Sequence, residues 1–93
     1  MKIHNNMIKV YKFHADWCSH CKVITNKLKS NSIGIDIIDI NVDDDSSEEL
    51  TDKYKVYNLP TIVIVDEHDN MLSKYSGNID LGEIKDKIAE LTK

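Results

Sequence analysis

The stretch "HADWCSHCK", residues 14–22, holds both cysteines of this 93-residue chain, three positions apart. Trp17 precedes them and His20 lies between them. Two cysteines placed at random in such a length fall at this spacing in about one arrangement in fifty, so the spacing carries information. The flanks carry more. Upstream, "MIKVYKFHA" (7–15) is β-branched and aromatic, and Ile8, Val10, Tyr11 and Phe13 leave little alternation, as in a central strand covered on both faces. Downstream, Val23, Ile24 and Leu28 fall on one side of a helix and Lys22, Asn26 and Lys29 on the other. The pair therefore sits where a strand ends and a helix begins, with Cys18 at or beside the helix N-terminus. Unpaired backbone N–H groups and the helix dipole favour a thiolate there. Cys18 is expected to face solvent, and Cys21, a turn further in, to be shielded.

Three chemistries compete for such a pair. A structural zinc site needs four ligands, normally a second Cys or His pair at fixed spacing. The histidines are His4, His14, His20 and His68, and they form no such pair. A purely structural disulfide closing so small a loop constrains the unfolded chain little and does not suit the cytosol. The favoured reading is a redox centre, in which one ionised sulfur attacks and its neighbour resolves. Its rival is a non-enzymatic module that binds metal through the cysteines or docks a partner on its surface. An intact pair at a helix start argues for the enzyme.

Other elements follow from pattern. "NSIG" (31–34) breaks the helix, and "IDIIDINV" (35–42) reads as a second strand. "DDDSSEELTDKY" (43–54) starts a helix in which Ser46 and Glu49 have capping-box spacing. Pro60 stands before a third strand, "TIVIV"; "DEHDN" is a turn, and "MLSKYS" a shorter fourth strand ended by Gly77. Asp80 and Glu83 cap a last helix whose Leu81, Ile84, Ile88 and Leu91 form one apolar stripe. The order is β-α-β-α-β-β-α in one domain, 1–93, without repeats or linkers. The first two strands are expected to be parallel neighbours and the last two an antiparallel hairpin, giving an α/β fold with a four-stranded mixed sheet flanked by three helices. "DINVDDD" (39–45) fails as a calcium loop, because Asp44 and Leu50 stand where glycine and glutamate are needed.

Composition narrows the partners. A net charge of −4 offers no basic footprint for nucleic acid or an anionic membrane. No apolar run approaches the ~20 residues of a membrane span. "MKIHNNMIKV" has no apolar segment or cleavage site of a secretory signal, and "AELTK" carries no retention tetrapeptide. The expectation is a cytoplasmic monomer that binds no nucleic acid, membrane or metal.

"WCSHCK", the preceding "FHAD", the "LPT" at 59–61 and Gly77 before an amphipathic helix together resemble the thioredoxin superfamily, over roughly Met7 to Leu91. The resemblance implies a thioredoxin-like fold, with Pro60 in cis against the cysteine pair and Leu59 offering main-chain groups to an extended substrate. Trp17, Ser19, Leu59, Pro60 and Thr61 become the substrate-binding residues, and Cys18 and Cys21 the catalytic pair. It also implies no cofactor, protein disulfides as substrates (such as that of ribonucleotide reductase), and a thioredoxin-type reductase or glutathione as electron donor.

Within the superfamily, the chain is as short as a glutaredoxin and lacks the extra N-terminal strand and helix of typical thioredoxins. Glutaredoxins resemble "CPYC" and "TVP" where this chain has "CSHC" and "LPT", so direct exchange with protein disulfides is favoured over a glutathione-dependent activity. "SGNID" (76–80) resembles a vestige of a glutathione loop, although a glycine before a capped helix needs no such origin. His20 occupies the slot that is histidine in protein disulfide isomerase and proline in thioredoxin. A histidine there favours the reduced form and makes the disulfide more oxidising. One departure stands out. Thioredoxins keep an acid beneath the disulfide and a lysine across from it; the matching positions here are Lys12 and Asp39, with the charges exchanged. A lone buried lysine is costly, so the two are expected to pair or Lys12 to snorkel, and Asp39, or water beside it, to relay the proton from Cys21.

Overall fold

The computed structural model describes residues 7–30 and 33–92. Residues 1–6 (His4 among them) and 93 of the two ends read for targeting signals, and residues 31–32 of the helix break, lie outside the described residues. Strand β1 (Ile8–His14) leads into helix α1 (Ser19–Ser30), then strand β2 (Ile37–Asn41). A 3-10 turn (Asp45–Ser47) opens helix α2 (Glu48–Lys53), and strands β3 (Thr61–Asp66) and β4 (Met71–Ser76) precede helix α3 (Leu81–Thr92). The sheet order is β2-β1-β3-β4. β1 runs parallel to β2 and antiparallel to β3, and β3 and β4 form the antiparallel hairpin. The expected mixed four-stranded sheet with three helices is what forms. Pattern alone did not place β3 beside β1.

The two central strands carry the most apolar sequence because both their faces are covered. On one face Val10, Ile62 and Ile64 pack with Ile24 of α1 and Ile84 and Ile88 of α3. On the other, Tyr11, Phe13, Val63 and Val65 pack around Tyr54 at the end of α2. Phe13 is fully buried, so truncating it to alanine would cost about 3–5 kcal/mol. The edge strand β2 is half-exposed, with Ile38 at the surface. Among the described residues no helix is long and apolar enough to cross a membrane.

Three local expectations are corrected. Val23 is 52% exposed and does not join Ile24 and Leu28 on the core face of α1. The Ser46–Glu49 capping box is replaced by the 3-10 turn: α2 starts at Glu48, and the Ser47 hydroxyl donates back to the Asp44 carbonyl at 2.7 Å. β4 matches β3 in length, six residues each. At α3 the Asp80 carboxylate accepts the Gly82 N–H at 2.8 Å, the cap expected there. Gly77 adopts φ +76°, a left-handed conformation that favours glycine. That turn lets its N–H donate to the Pro60 carbonyl at 3.1 Å, tying the end of β4 to the start of β3.

Candidate active site

β1 ends at His14, and a turn closed by the Cys18 N–H on the Ala15 carbonyl, at 3.1 Å, delivers the chain to α1. Cys18 immediately precedes the first helical residue, Ser19, in the capping position. Its sulfur accepts the Cys21 N–H at 3.2 Å, which occupies one of the donors a helix start leaves without a partner. Both thiols are free. Cys18 is the more accessible of the two, but it does not face solvent as expected: both are buried, at 7% exposed against 2% for Cys21. The reason is that with Ala15 they form a small cluster against which Val42 and Leu59 pack. Burial, followed by the contact with Cys18, pushes the Cys21 thiol up to about 11. The Ala15 backbone and the positive charge of Lys12 pull the other way.

The Leu59–Pro60 peptide bond is cis, as the resemblance implies. Pro60 is buried, and Thr61 behind it donates its hydroxyl to the Asn58 carbonyl. Leu59 is half-buried; Ser19 and His20 are exposed at the start of α1. A cleft of about 430 Å³ runs past Cys18, lined by Trp17, Val42, Tyr57, Asn58 and Leu59 among others. A smaller one, about 200 Å³, lies beside Pro60 between His20, Val23 and Lys27 of α1 and Gly77–Ile79. It takes in the "SGNID" loop.

Lys12 and Asp39 face each other across the β1–β2 pairing, and their side chains form an ion pair at 2.8 Å. The pair is lopsided: the lysine side chain is 7% exposed and the aspartate 58%. The ammonium also donates to Thr25 Oγ1 at 2.9 Å, so the buried charge has two partners and the exposed carboxylate keeps its hydration.

Four further residues enter the site that sequence pattern did not single out. Thr25 follows Cys21 by one helical turn, so helical periodicity from the cysteine points to it. Asp43 accepts the Trp17 indole N–H at 2.9 Å; its membership of an acidic run hid that contact. Tyr57, 82% exposed beside the cleft, and Val42 are brought in by tertiary folding, which carries no local signal. His14 borders a third cleft that reaches Cys21.

Comparison with known proteins fits this geometry. A family model described as Thioredoxin matches residues 1–90. The chain belongs to the thioredoxin family. Thiol–disulfide oxidoreductase chemistry comes with that membership at the level of the family, and two neighbouring cysteines are present to carry it. Thioredoxin-1 of Drosophila yakuba is 33% identical over 86 residues, spanning 90% of this thioredoxin-family chain and 78% of the fly protein. Protein disulfide isomerase-like 1-2 of Oryza sativa subsp. japonica is 32% identical over 75 residues, 73% of this chain and 14% of the rice protein. This chain thus spans most of one relative and about a seventh of the other. Among solved structures, thioredoxin 1 from Thermosipho africanus TCF52B superposes with a TM-score of 0.72 at 26% identity, covering 88% of this chain and 91% of that one. Fasciola hepatica thioredoxin, at 24% identity and a TM-score of 0.75 over 92% and 82% of the two chains, shares the fold.

Proposed function

We propose that this single domain is a dithiol oxidoreductase acting on protein disulfides. The Cys18 sulfur, as thiolate, attacks a substrate disulfide; one substrate sulfur leaves and the other stays bonded to Cys18. The Cys21 thiol loses its proton, attacks Cys18 and forms the Cys18–Cys21 bond. The substrate leaves as its second thiolate, having gained two electrons. No cofactor takes part. Trp17, Ser19, Leu59, Pro60 and Thr61 hold the substrate beside Cys18. His20 favours the reduced form, and the Lys12–Asp39 pair serves Cys21, with Asp39, or water beside it, taking the departing proton.

The observation that carries this reading is the Cys21 N–H on the Cys18 sulfur at 3.2 Å, at the start of α1 and beside an open cleft. It holds the attacking sulfur against a helix N-terminus and its partner one turn behind, the two requirements of the exchange. The proposed setting is cytoplasmic, the active form a monomer, and the substrates protein disulfides of the kind found in ribonucleotide reductase. A thioredoxin-type reductase is the proposed electron donor, and glutathione the second candidate, for which the cleft beside the "SGNID" loop offers room.

Insulin reduction coupled to a thioredoxin-type reductase, run beside the same assay coupled to glutathione, tests both the chemistry and the donor. Turnover with the reductase and its loss in Cys18→Ser is the expected result. Activity that survives Cys18→Ser would overturn the reading, and turnover with glutathione alone would reassign the donor. Exchange kinetics of Asp39→Asn that match the wild type across pH would reduce Asp39 to a structural partner of Lys12.

A further inference from the structure

Lys12 projects from the central strand into the interior, with 6% of its surface exposed, an expensive place for a charge. Nothing in the packing requires a cation there, and apolar residues of similar volume replace buried ion pairs with little loss of stability. What the ammonium is fixed to is informative. Its bond to Thr25 Oγ1, at 2.9 Å, anchors it on α1 one turn beyond Cys21, and its bond to Asp39, at 2.8 Å, keeps it charged. Residues four apart on a helix share a face about 5–6 Å apart, so the fixed charge lies within reach of the Cys21 sulfur. Thr25 and Cys21 also line one cleft of about 260 Å³ beside the nearly buried thiol.

We propose that Lys12 is a positioning residue for the second half of the exchange: its buried ammonium stabilises the Cys21 thiolate as that sulfur attacks Cys18. This rests on the dithiol reading above and deepens it. In the step concerned the Cys21 S–H bond breaks and its proton passes to water in the cleft. The sulfur's electron pair forms the bond to Cys18, and the Cys18–substrate bond breaks with its pair leaving on the substrate thiolate. The charge that appears on Cys21 appears in a site too dry to be solvated, and a cation already in place offsets it without reorganisation. Burial opposes ionisation of Cys21, and Lys12 is the charged side chain acting in its favour. The other ionisable groups around the thiol are Cys18 and, along the cleft, His14, Asp16 and Lys22.

The test separates the two half-reactions by stopped flow with a chromogenic aromatic disulfide, whose first thiolate reports attack by Cys18 and whose second reports release by Cys21. Removing a nearby opposite charge raises a thiol by about one to two pH units. Each unit removes about tenfold of the thiolate and returns about threefold in nucleophilicity. Lys12→Met should therefore slow release about three- to tenfold at neutral pH and displace its pH profile upward, with the first thiolate as internal reference. Lys12→Arg, which keeps the charge and cannot give up a proton, should release substrate at close to the wild-type rate. Raising the buffer concentration restores a lost proton relay and leaves a lost charge uncorrected, so no recovery of Lys12→Met with buffer is expected. Release at the wild-type rate in Lys12→Met, or full recovery with buffer, overturns the inference while leaving the dithiol reading intact. Absence of the first thiolate burst in the wild type would overturn the dithiol reading itself. If Lys12→Met does not fold, Thr25→Val removes only the anchor on α1. It should slow release in the same direction by a smaller factor, and unchanged release would again be fatal.

Discussion

The indole N–H of Trp17 donates to a carboxylate oxygen of Asp43 at 2.9 Å, tying the residue before Cys18 to the segment that follows β2. Trp17 is 70% exposed, so this bond, and not burial, fixes the ring at the edge of the cleft. In Asp43→Ala the ring is released. Since Trp17 is the sole tryptophan, its fluorescence anisotropy should fall. Attack on a protein disulfide should slow by about fivefold or less, the scale of one hydrogen bond of about 1 kcal/mol. Anisotropy and rate both equal to wild type would mean that the bond does not position Trp17.

Cys21 makes the reduced protein sensitive to alkali. Its thiol rises from 9.0 to about 11 on folding, chiefly through burial. Between these values the unfolded chain binds fewer protons than the folded one, so stability falls as pH rises through that window. It is fully present below about 9 and lost by about 11, a change of about 3 kcal/mol. Tyr54, raised by burial from 10.0 to about 12, extends the decline. The oxidised protein has no Cys21 proton to lose, so the urea midpoint of the reduced form should fall relative to that of the oxidised form as pH rises from about 8 to about 11. A gap that stays constant would remove the assignment.

The exposed His20 should set the redox potential. The interval between thioredoxin-like and isomerase-like centres is about 90 mV, or roughly 4 kcal/mol for two electrons. A potential inside that interval is expected for the wild type, and a more reducing value for His20→Pro, both read by titration against glutathione. A wild-type potential at or below the thioredoxin end would deny His20 this role.

At the far end of the sheet from the cysteines, Asp69 accepts from the Tyr11 hydroxyl at 3.0 Å and pairs with Lys9 at 2.7 Å. The Tyr54 hydroxyl donates to its backbone carbonyl at 2.7 Å. The hydrogen bond from Lys9, ahead of that from Tyr11, holds the Asp69 carboxyl below its usual value. Its stabilisation is therefore present above about pH 4 and fades as the pH falls through the lowered value. Asp69 sits at φ +64°, which asparagine also tolerates, so Asp69→Asn keeps the turn and removes the charge. A loss of about 1 kcal/mol at neutral pH is expected, vanishing in acid, as read from chemical denaturation at the two pH values. An equal loss at both would point to the turn and away from the ion pair.

Most of the architecture was legible because β1, α1, β3 and α3 each present a strong period or an unbroken apolar run. The charge exchange at Lys12 and Asp39 was legible too, since parallel pairing of β1 with β2 sets them opposite each other. Val23 shows where a helix period misleads: it lies about 100° around the helix from Ile24, so while Ile24 packs on the sheet Val23 turns outward beside the cleft at Pro60. The capping box failed because a 3-10 turn competed for the same donors, and its spacing alone cannot tell the two apart. Trp17 and Asp43 lie 26 residues apart, and only the completed sheet brings them together.

The sulfur that closes the first turn of α1 is the same sulfur that proposed turnover would spend. Whatever bonds to Cys18, substrate or Cys21, alters the acceptor of the Cys21 amide proton. That single amide is thus a resident gauge of the catalytic cycle. Its chemical shift and its exchange with heavy water would distinguish resting, substrate-linked and oxidised molecules without any label on the cysteines.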